Sequence, residues 1–428
     1  MKSKYVIFNI EDLLKEVFAW LDINCLINLP INALQLIYEA YIYKKKDFYY
    51  KLSKSETSDF INSILPKNYL KKEKLVKKLI TKLEKTIEGD FNHNWGKISS
   101  ALGKLKYNLD VMRIPKNVER IENKLNKKFL KYINENYEGL FYSSDSMVNS
   151  NLLHIIFKDR KKKRAMICFD CMGFEEWNVI KDYMRLYLKD IKLKENYSIT
   201  LLPSETKYSR TSLFAGLVPK NIMALPFVNT LSWQYEEKLF KFSIQKKLKI
   251  DDCKIYYERQ DLPDKLEISF DFFKEFEAIG IVFSFIDDLT HSKIRKMNKK
   301  LLINNIKIKL EESKLFEIIE ALLTQNFEVF FVSDHGSILS KGVGKISKDL
   351  VDKRARRYLI SENKIILETL SEKLENTKLV QFKNLIGKKF LLLFTGKNMI
   401  GSKSKSNLTH GGISIEEVIV PFIKVGYK

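Results

Sequence analysis

Apolar positions recur at helical spacing through the opening part of the chain. Leu13, Val17, Trp20 and Leu21 fall on one face of a first predicted helix. Leu75, Val76, Leu79, Ile80, Leu83 and Ile87 line a second, in KKEKLVKKLITKLEKTIEG, whose opposite face is almost entirely lysine. Steps of three and four residues place such side chains on one stripe of a 3.6-residue helix. A third helix is predicted from Asn117 to Tyr137. Residues 1–140 therefore read as a small, basic, all-helical N-terminal domain. FYSSDSMVNSN, from Phe141, has no period and is rich in Ser and Asn, so residues 141–154 are taken as a linker.

Beyond that point short β-favouring runs alternate with helical stretches. The strand candidates are Arg164–Phe169, Tyr197–Leu202, Ile279–Ile286, Phe327–Ser333, Lys388–Phe394 and Val418–Val425. This alternation predicts an α/β domain over residues 155–428, a mostly parallel sheet flanked by helices. Residues 217–277, between the second and third candidates, are the place for a cap insertion.

In open α/β sheets, ligands bind beyond the carboxyl ends of the strands. The first candidate strand ends in Asp170 and the second runs into PSETKYSRTSLFAGLVP. The third ends in IDDLTHS and the fourth in SDHGS, and THGGISIEEVIVP leads into the last. These loops offer Asp170, Thr206, Asp287, His291, Asp334, His335 and His410. Carboxylates and imidazoles suit zinc, manganese or iron. The chain has 5 histidines, and His291, His335 and His410 all lie in these motifs, leaving only His93 and His154 elsewhere. Any one Asp at a strand end is ordinarily a turn or a cap; the ordered series is better explained by a metal site.

At 428 residues the chain exceeds what one core usually serves, so two domains are expected. Its 4 cysteines are too few for a disulfide framework, which points to a reducing, cytoplasmic setting. The N-terminus turns acidic within a dozen residues, unlike a signal peptide, and no run approaches the roughly 18 apolar residues of a membrane span. The formal charge of +22 suits an anionic partner such as a nucleotide or nucleic acid. A compositional explanation stands beside it, since only 11 of the 75 basic residues are Arg and Lys, Ile and Asn abound.

Cys168 and Cys171 form a C-x-x-C around Asp170, but no second pair completes a zinc site, so they read as a buried residue and a loop residue. Arg354, Arg356 and Arg357 are either a phosphate clamp or the solvated face of a helix. Lys207 and Arg210 lie near Thr206 as further candidates for substrate phosphate. Glu416 and Glu417 are candidates for orienting His410. The lysine face of residues 71–85 reads as a solvated helix surface, with a nucleic-acid patch as the alternative.

The motif series resembles the PglZ-domain branch of the alkaline-phosphatase superfamily over roughly residues 160–428. PSETKYSR with downstream AGLVP, SDHG and THGGISIEEVIVP carry the resemblance. It implies Thr206 as nucleophile, one metal on Asp287, His291 and His410, and a second on Asp170, Thr206, Asp334 and His335. Asp288, adjacent to Asp287, is its possible substitute, and Ser204 and Ser209 compete with Thr206 without keeping the family spacing. Two divalent ions, zinc or else manganese, are implied. The implied activity is phosphodiester hydrolysis on nucleotides or nucleic acid, with a link to bacteriophage-exclusion defence complexes. A phosphomonoesterase and a DNA- or partner-binding scaffold subunit are the alternatives. A sulfatase is disfavoured because no C-x-P-x-R string is present. No sugar-sized cap points to a phosphosugar mutase, although residues 217–277 leave room for one.

Overall fold

Three apolar runs, RAMICF, AIGIVF and EVFFV, have almost no polar interruption, as expected for strands covered by helices on both faces. The structure is a computed structural model that describes residues 5–9, 49–53, 67–89, 94–112, 118–262, 271–292, 297–344, 346 and 355–427. The chain divides into two compact units, residues 1–88 with 105–118, and residues 89–104 with 119–428.

In the first unit the helix Lys67–Glu88 buries Val76, Leu79, Leu83 and Ile87 and leaves most of its lysines exposed. A two-stranded sheet accompanies the expected helical character. β1 (Tyr5–Asn9) and β2 (Tyr49–Ser53) pair antiparallel, with Tyr5 opposite Ser53. YVIFN and YYKLS are rich in aromatic and β-branched residues, which favour a pleated surface over a helix. The predicted helix at Leu13–Leu21 lies outside the described residues, as do His93 and Arg354. The helix expected from Asn117 spans Glu119–Asn136, and a further helix, Trp95–Met112, has an apolar pattern too weak to be read beforehand.

In the second unit the strands run in chain order β3 (Arg164–Phe169), β4 (Ile191–Ile199), β5 (Ile255–Gln260), β6 (Ala278–Phe283) and β7 (Glu328–Val332). They continue with β8 (Ile338–Gly342), β9 (Tyr358–Ser361), β10 (Thr377–Val380), β11 (Phe390–Phe394), β12 (Asn398–Met399), β13 (Ser406–Thr409) and β14 (Ile419–Tyr427). The central sheet has the order β4-β14-β7-β3-β6-β5. β7, β3, β6 and β5 are mutually parallel, and β14 runs antiparallel to both β4 and β7. Helices Asn149–Ile156, Thr206–Ala215 and Glu236–Leu248 pack Leu152, Leu213, Phe214, Phe240 and Ile244 against Met166, Cys168, Val282 and Val332 on one face. On the other, Trp177 of helix Phe174–Tyr187 meets Phe331 edge-on, with ring centroids 6.1 Å apart. Two three-stranded sheets, β10-β11-β9 and β12-β8-β13, complete the unit. Among the described residues no helix is long and apolar enough to cross a membrane.

Several strand expectations shift. The second strand begins earlier and ends at Ile199, because KLKEN is an exposed edge whose polarity conceals its pairing with β14. The third ends at Phe283, and Phe285–Thr290 is helical. LLLF belongs to the small β10-β11-β9 sheet rather than the central one. β5, within the stretch considered for a cap, was not foreseen, since IYYERQ is an edge strand with little buried apolar surface.

At the amino end of the sheet Glu328 accepts from Arg164 Nε at 3.0 Å, Lys162 Nζ at 3.0 Å and Lys424 Nζ at 2.8 Å. Burial raises its pKa, but these three donors outweigh that and bring it to about 2. A depressed carboxylate stabilises the fold above its unfolded pKa, near 4.3, and that contribution is lost as the pH falls through about 2. Glu328→Gln is expected to cost about 1 kcal/mol at pH 7. In urea unfolding the gap from wild type should shrink below about pH 4; a gap independent of pH contradicts this account.

Candidate metal centre

Three adjacent parallel strands deliver acids to one edge. Asp170 follows β3, Asp334 follows β7, and Asp287 lies in the helix Phe285–Thr290 just beyond β6. Antiparallel β14 begins at that same edge, so the chain entering it brings His410 there. Ile419 at its start pairs with Ile199 at the end of β4, which sets THGG beside the loop leading to Thr206. His410 Nδ1 lies 3.2 Å from Ser204 O, Gly411 N donates to Ser204 Oγ at 3.1 Å, and Ser204 Oγ donates to Gly412 O at 2.9 Å. Ser204 is thus committed to joining the loops, and Ser209 is buried, donating to Leu201 O at 3.1 Å. Thr206 is half-buried on the cavity wall, its Oγ1 3.0 Å from His335 Nε2.

Two donor groups converge. In the first, His291 Nε2 and His410 Nε2 are 2.9 Å apart and lie 3.3 and 3.5 Å from Asp287 Oδ1. In the second, Asp170, Asp287 and His335 each offer a ligand atom within 4.8 Å of the others. Asp334 Oδ2 stands 3.6 Å from His335 Nε2. Its Oδ1 accepts from the backbone N–H of Cys171 at 3.1 Å and of His335 at 3.0 Å, which fixes the carboxylate plane. Asp288 is not in either group; it accepts from Ser284 Oγ at 2.8 Å.

Asp170 Oδ1, Asp287 Oδ1 and Asp334 Oδ2 are buried with no hydrogen-bond donor in place. Each such oxygen costs about 1–3 kcal/mol unless something compensates it. Carboxylate and imidazole donors with orphaned oxygens on one cavity fit divalent cations of the zinc or manganese kind. With Nδ1 of His410 on Ser204 O, and Nδ1 of His335 3.3 Å from Gly336 O, each ring turns Nε2 toward the donor groups.

Electrostatics follow from the crowding. Burial raises the Asp170 carboxyl well above the usual range; Arg210 opposes this, and Asp334 and Asp287 add to it. Burial also acts to raise Asp287, but His291 and His410 hold it well below that range. Burial lowers His335 to about 4, while for His410 the Asp287 contact overcomes burial and lifts the imidazole to about 9, aided by Glu205 and Glu417.

The cavity of about 750 Å³ in front of the donors includes Lys207, Arg210 and Arg356 in its wall. Arg357 does not serve as a phosphate clamp or lie on a solvated helix face. It is fully buried before β9, with Nε and Nη2 on the two oxygens of Glu417 at 2.8 and 2.9 Å and Nη1 on Ser340 Oγ at 3.0 Å. Glu417 also accepts from Gly412 N at 2.9 Å, so it shapes the THGG loop rather than touching the His410 ring. A Cβ at Gly412 would stand 2.4 Å from Phe394 O, and one at Gly336 2.1 Å from Glu416 O, so both loops require glycine at these close approaches. Cys168 and Cys171 are buried, and His154 binds Gly216 O at 2.9 Å, away from the donors.

Sequence reasoning missed Glu205, Trp233, Glu236, Tyr257 and Arg259. Glu205 precedes the helix Thr206–Ala215 and accepts from the Tyr358 hydroxyl at 2.5 Å. Arg259 packs over the Trp233 ring, 4.1 Å from its centroid, and both line the cavity. Glu205 stands inside PSETKYSR but was given no role there; the other four stand in no motif, and only the fold brings them to the site.

Donors of this kind beside a hydroxyl at a helix start fit a hydrolase of phosphoric esters that works with divalent metals. Residues 149–425 match the family of the BREX-system PglZ alkaline-phosphatase-like domain, and the chain belongs to that family. No curated protein matches the chain. Among solved structures, murine ectonucleotide pyrophosphatase/phosphodiesterase 5, as an inactive form in complex with AMP, is similar with a TM-score of 0.43 and 12% identity, over 62% of this chain and 88% of that one. The human protein of the same name gives 0.41 and 13%, over 62% and 88%. Phosphonoacetate hydrolase from Sinorhizobium meliloti gives 0.40 and 9%, over 62% and 90%.

Proposed function

We propose that this chain is a two-metal phosphodiesterase acting on nucleotides or nucleic acid, with Thr206 as its nucleophile. The convergence of Asp170, Asp287, His291, Asp334, His335 and His410 around an open cavity carries the reading. Two divalent cations, zinc or else manganese, would be held by Asp287, His291 and His410 and by Asp170, Thr206, Asp334 and His335, with the Asp287 carboxylate within reach of both donor groups, and would lower the hydroxyl pKa and neutralise phosphoryl oxygens.

Thr206 is the first residue of its helix, so backbone N–H groups of the first turn favour an anion beside it. Thr206 Oγ1 and His335 Nε2 stand 3.0 Å apart, close enough to face one cation together. Thr206 Oγ1 bonds to phosphorus as the ester P–O bond breaks, and the leaving oxygen takes a proton. Water then displaces Thr206 from phosphorus, releasing a phosphomonoester and restoring the hydroxyl. Lys207, Arg210 and Arg356 supply positive charge along the cavity wall.

The half-exposed Trp233 ring supports a nucleobase-bearing substrate, because base stacking on an indole contributes about 1–3 kcal/mol. Trp233→Ala is expected to raise KM for a dinucleotide about 5- to 150-fold with little change in kcat. A KM within twofold of wild type removes this role from Trp233.

We assign the protein to a cytoplasmic defence assembly with protein partners, with phosphoryl chemistry in residues 155–428 and residues 1–140 left for recognition. The deciding assay compares bis-p-nitrophenyl phosphate with p-nitrophenyl phosphate on the purified, metal-loaded chain. Faster turnover of the diester is expected; a monoester preference of about a hundredfold or more (~2.7 kcal/mol) would establish the phosphomonoesterase instead.

A further inference from the structure

Arg210 sits one helical turn beyond Thr206, fully buried, with its guanidinium among acids. Nη1 contacts Asp170 Oδ2 and lies 4.0 Å from Asp334 Oδ2. Nε donates to Glu236 Oε1 at 2.9 Å, and the second oxygen of Glu236 accepts from the Tyr257 hydroxyl at 3.0 Å. Glu236 is itself fully buried. The chain Tyr257–Glu236–Arg210–Asp170 thus runs from edge strand β5 to a carboxylate of the metal centre.

One donor in this chain is left over. Arg210 Nη2 is buried and has no hydrogen-bond partner, although Arg210 lines the cavity. Burying an ion pair gains little over apolar packing of the same volume, and leaving one of its N–H groups unpaired costs about 1–3 kcal/mol more. A purely structural pair has no reason to leave that cost standing. A site awaiting an anionic oxygen does, and a phosphoryl group has non-bridging oxygens to offer.

We infer that Glu236 and Tyr257 are positioning residues that aim Arg210 Nη2 at a non-bridging phosphoryl oxygen of the bound substrate. Glu236 begins the helix Glu236–Leu248 and Tyr257 lies on β5, so both come from the stretch considered for a cap. That stretch therefore tunes the phosphate site besides walling the cavity. The inference rests on the phosphoesterase reading of the centre but not on which ester is the natural one.

The test is binding of inorganic phosphate to the zinc-loaded full chain by calorimetry, alongside bound metal per chain and kcat/KM on bis-p-nitrophenyl phosphate. Glu236→Gln is expected to weaken phosphate binding about tenfold (~1.4 kcal/mol) at unchanged metal content. In an Arg210→Lys background the same change should cost less than about twofold, since the aimed group is already gone. Phosphate affinity within twofold of wild type in Glu236→Gln overturns the inference, as does a full loss persisting in the Arg210→Lys background. Should Glu236→Gln not fold, Tyr257→Phe reports in its place: about a threefold weakening is expected, and unchanged affinity overturns it. Phosphate binding needs no turnover, so failure of the diesterase reading leaves this result interpretable.

Discussion

Thr206→Ala is expected to lower diester turnover by about a thousandfold or more while the chain keeps its divalent metal. The substitution removes one hydroxyl from the first turn of a ten-residue helix and leaves every carboxylate and imidazole of the centre in place. No neighbour can replace it. Ser204 Oγ is tied to Gly411 and Gly412, and Ser209 Oγ to Leu201 O. The measurement is kcat on bis-p-nitrophenyl phosphate with zinc or manganese, beside bound metal per chain and the melting temperature. Equal activity in both proteins would point to a contaminant or another nucleophile. Inactivity in both would favour a scaffold role for the metal domain.

The second large effect concerns Asp287, the one residue in both donor groups. Asp287→Ala is expected to lower bound zinc from two ions toward none and to abolish turnover, about a thousandfold or more. His291→Ala should behave differently. His291 belongs to one group, and its side chain is 44% exposed, so the Asp170 and His335 group survives. One ion should remain bound. Metal analysis after dialysis separates the two variants, and equal stoichiometry in both would contradict the shared position of Asp287. Asp288→Ala, which changes a carboxylate bonded only to Ser284, should leave two ions bound.

The donor residues could be nominated early because a strand covered on both faces is written as an unbroken apolar run. β3, β6 and β7 are such runs, and the polar residue closing each is conspicuous. Edge strands lack that mark. β4 is exposed along KLKEN and β5 is half-buried, so one was misplaced and the other overlooked. The arginines show the same limit from the opposite side. Arg356 and Arg357 are neighbours in the text, yet one lines the cavity and the other is enclosed by Glu417, Ser340 and the carbonyl oxygen of Asn398.

Read alone, the chain's residues determined the α/β class, the PglZ kinship, and the acids and histidines that are candidates for a metal centre. These are local properties, carried by runs of a few residues and the groups that end them. Tertiary structure decided the rest. It placed Asp287 in both donor groups and Asp288 on Ser284, committed Ser204 and Ser209 to loop bonds, and turned Arg357 into a brace for the THGG loop. It also brought Glu236 and Tyr257 to Arg210. Those choices depend on strand order, on the reversed direction of β14 and on which donors burial leaves unpaired, and no stretch of sequence holds that information by itself.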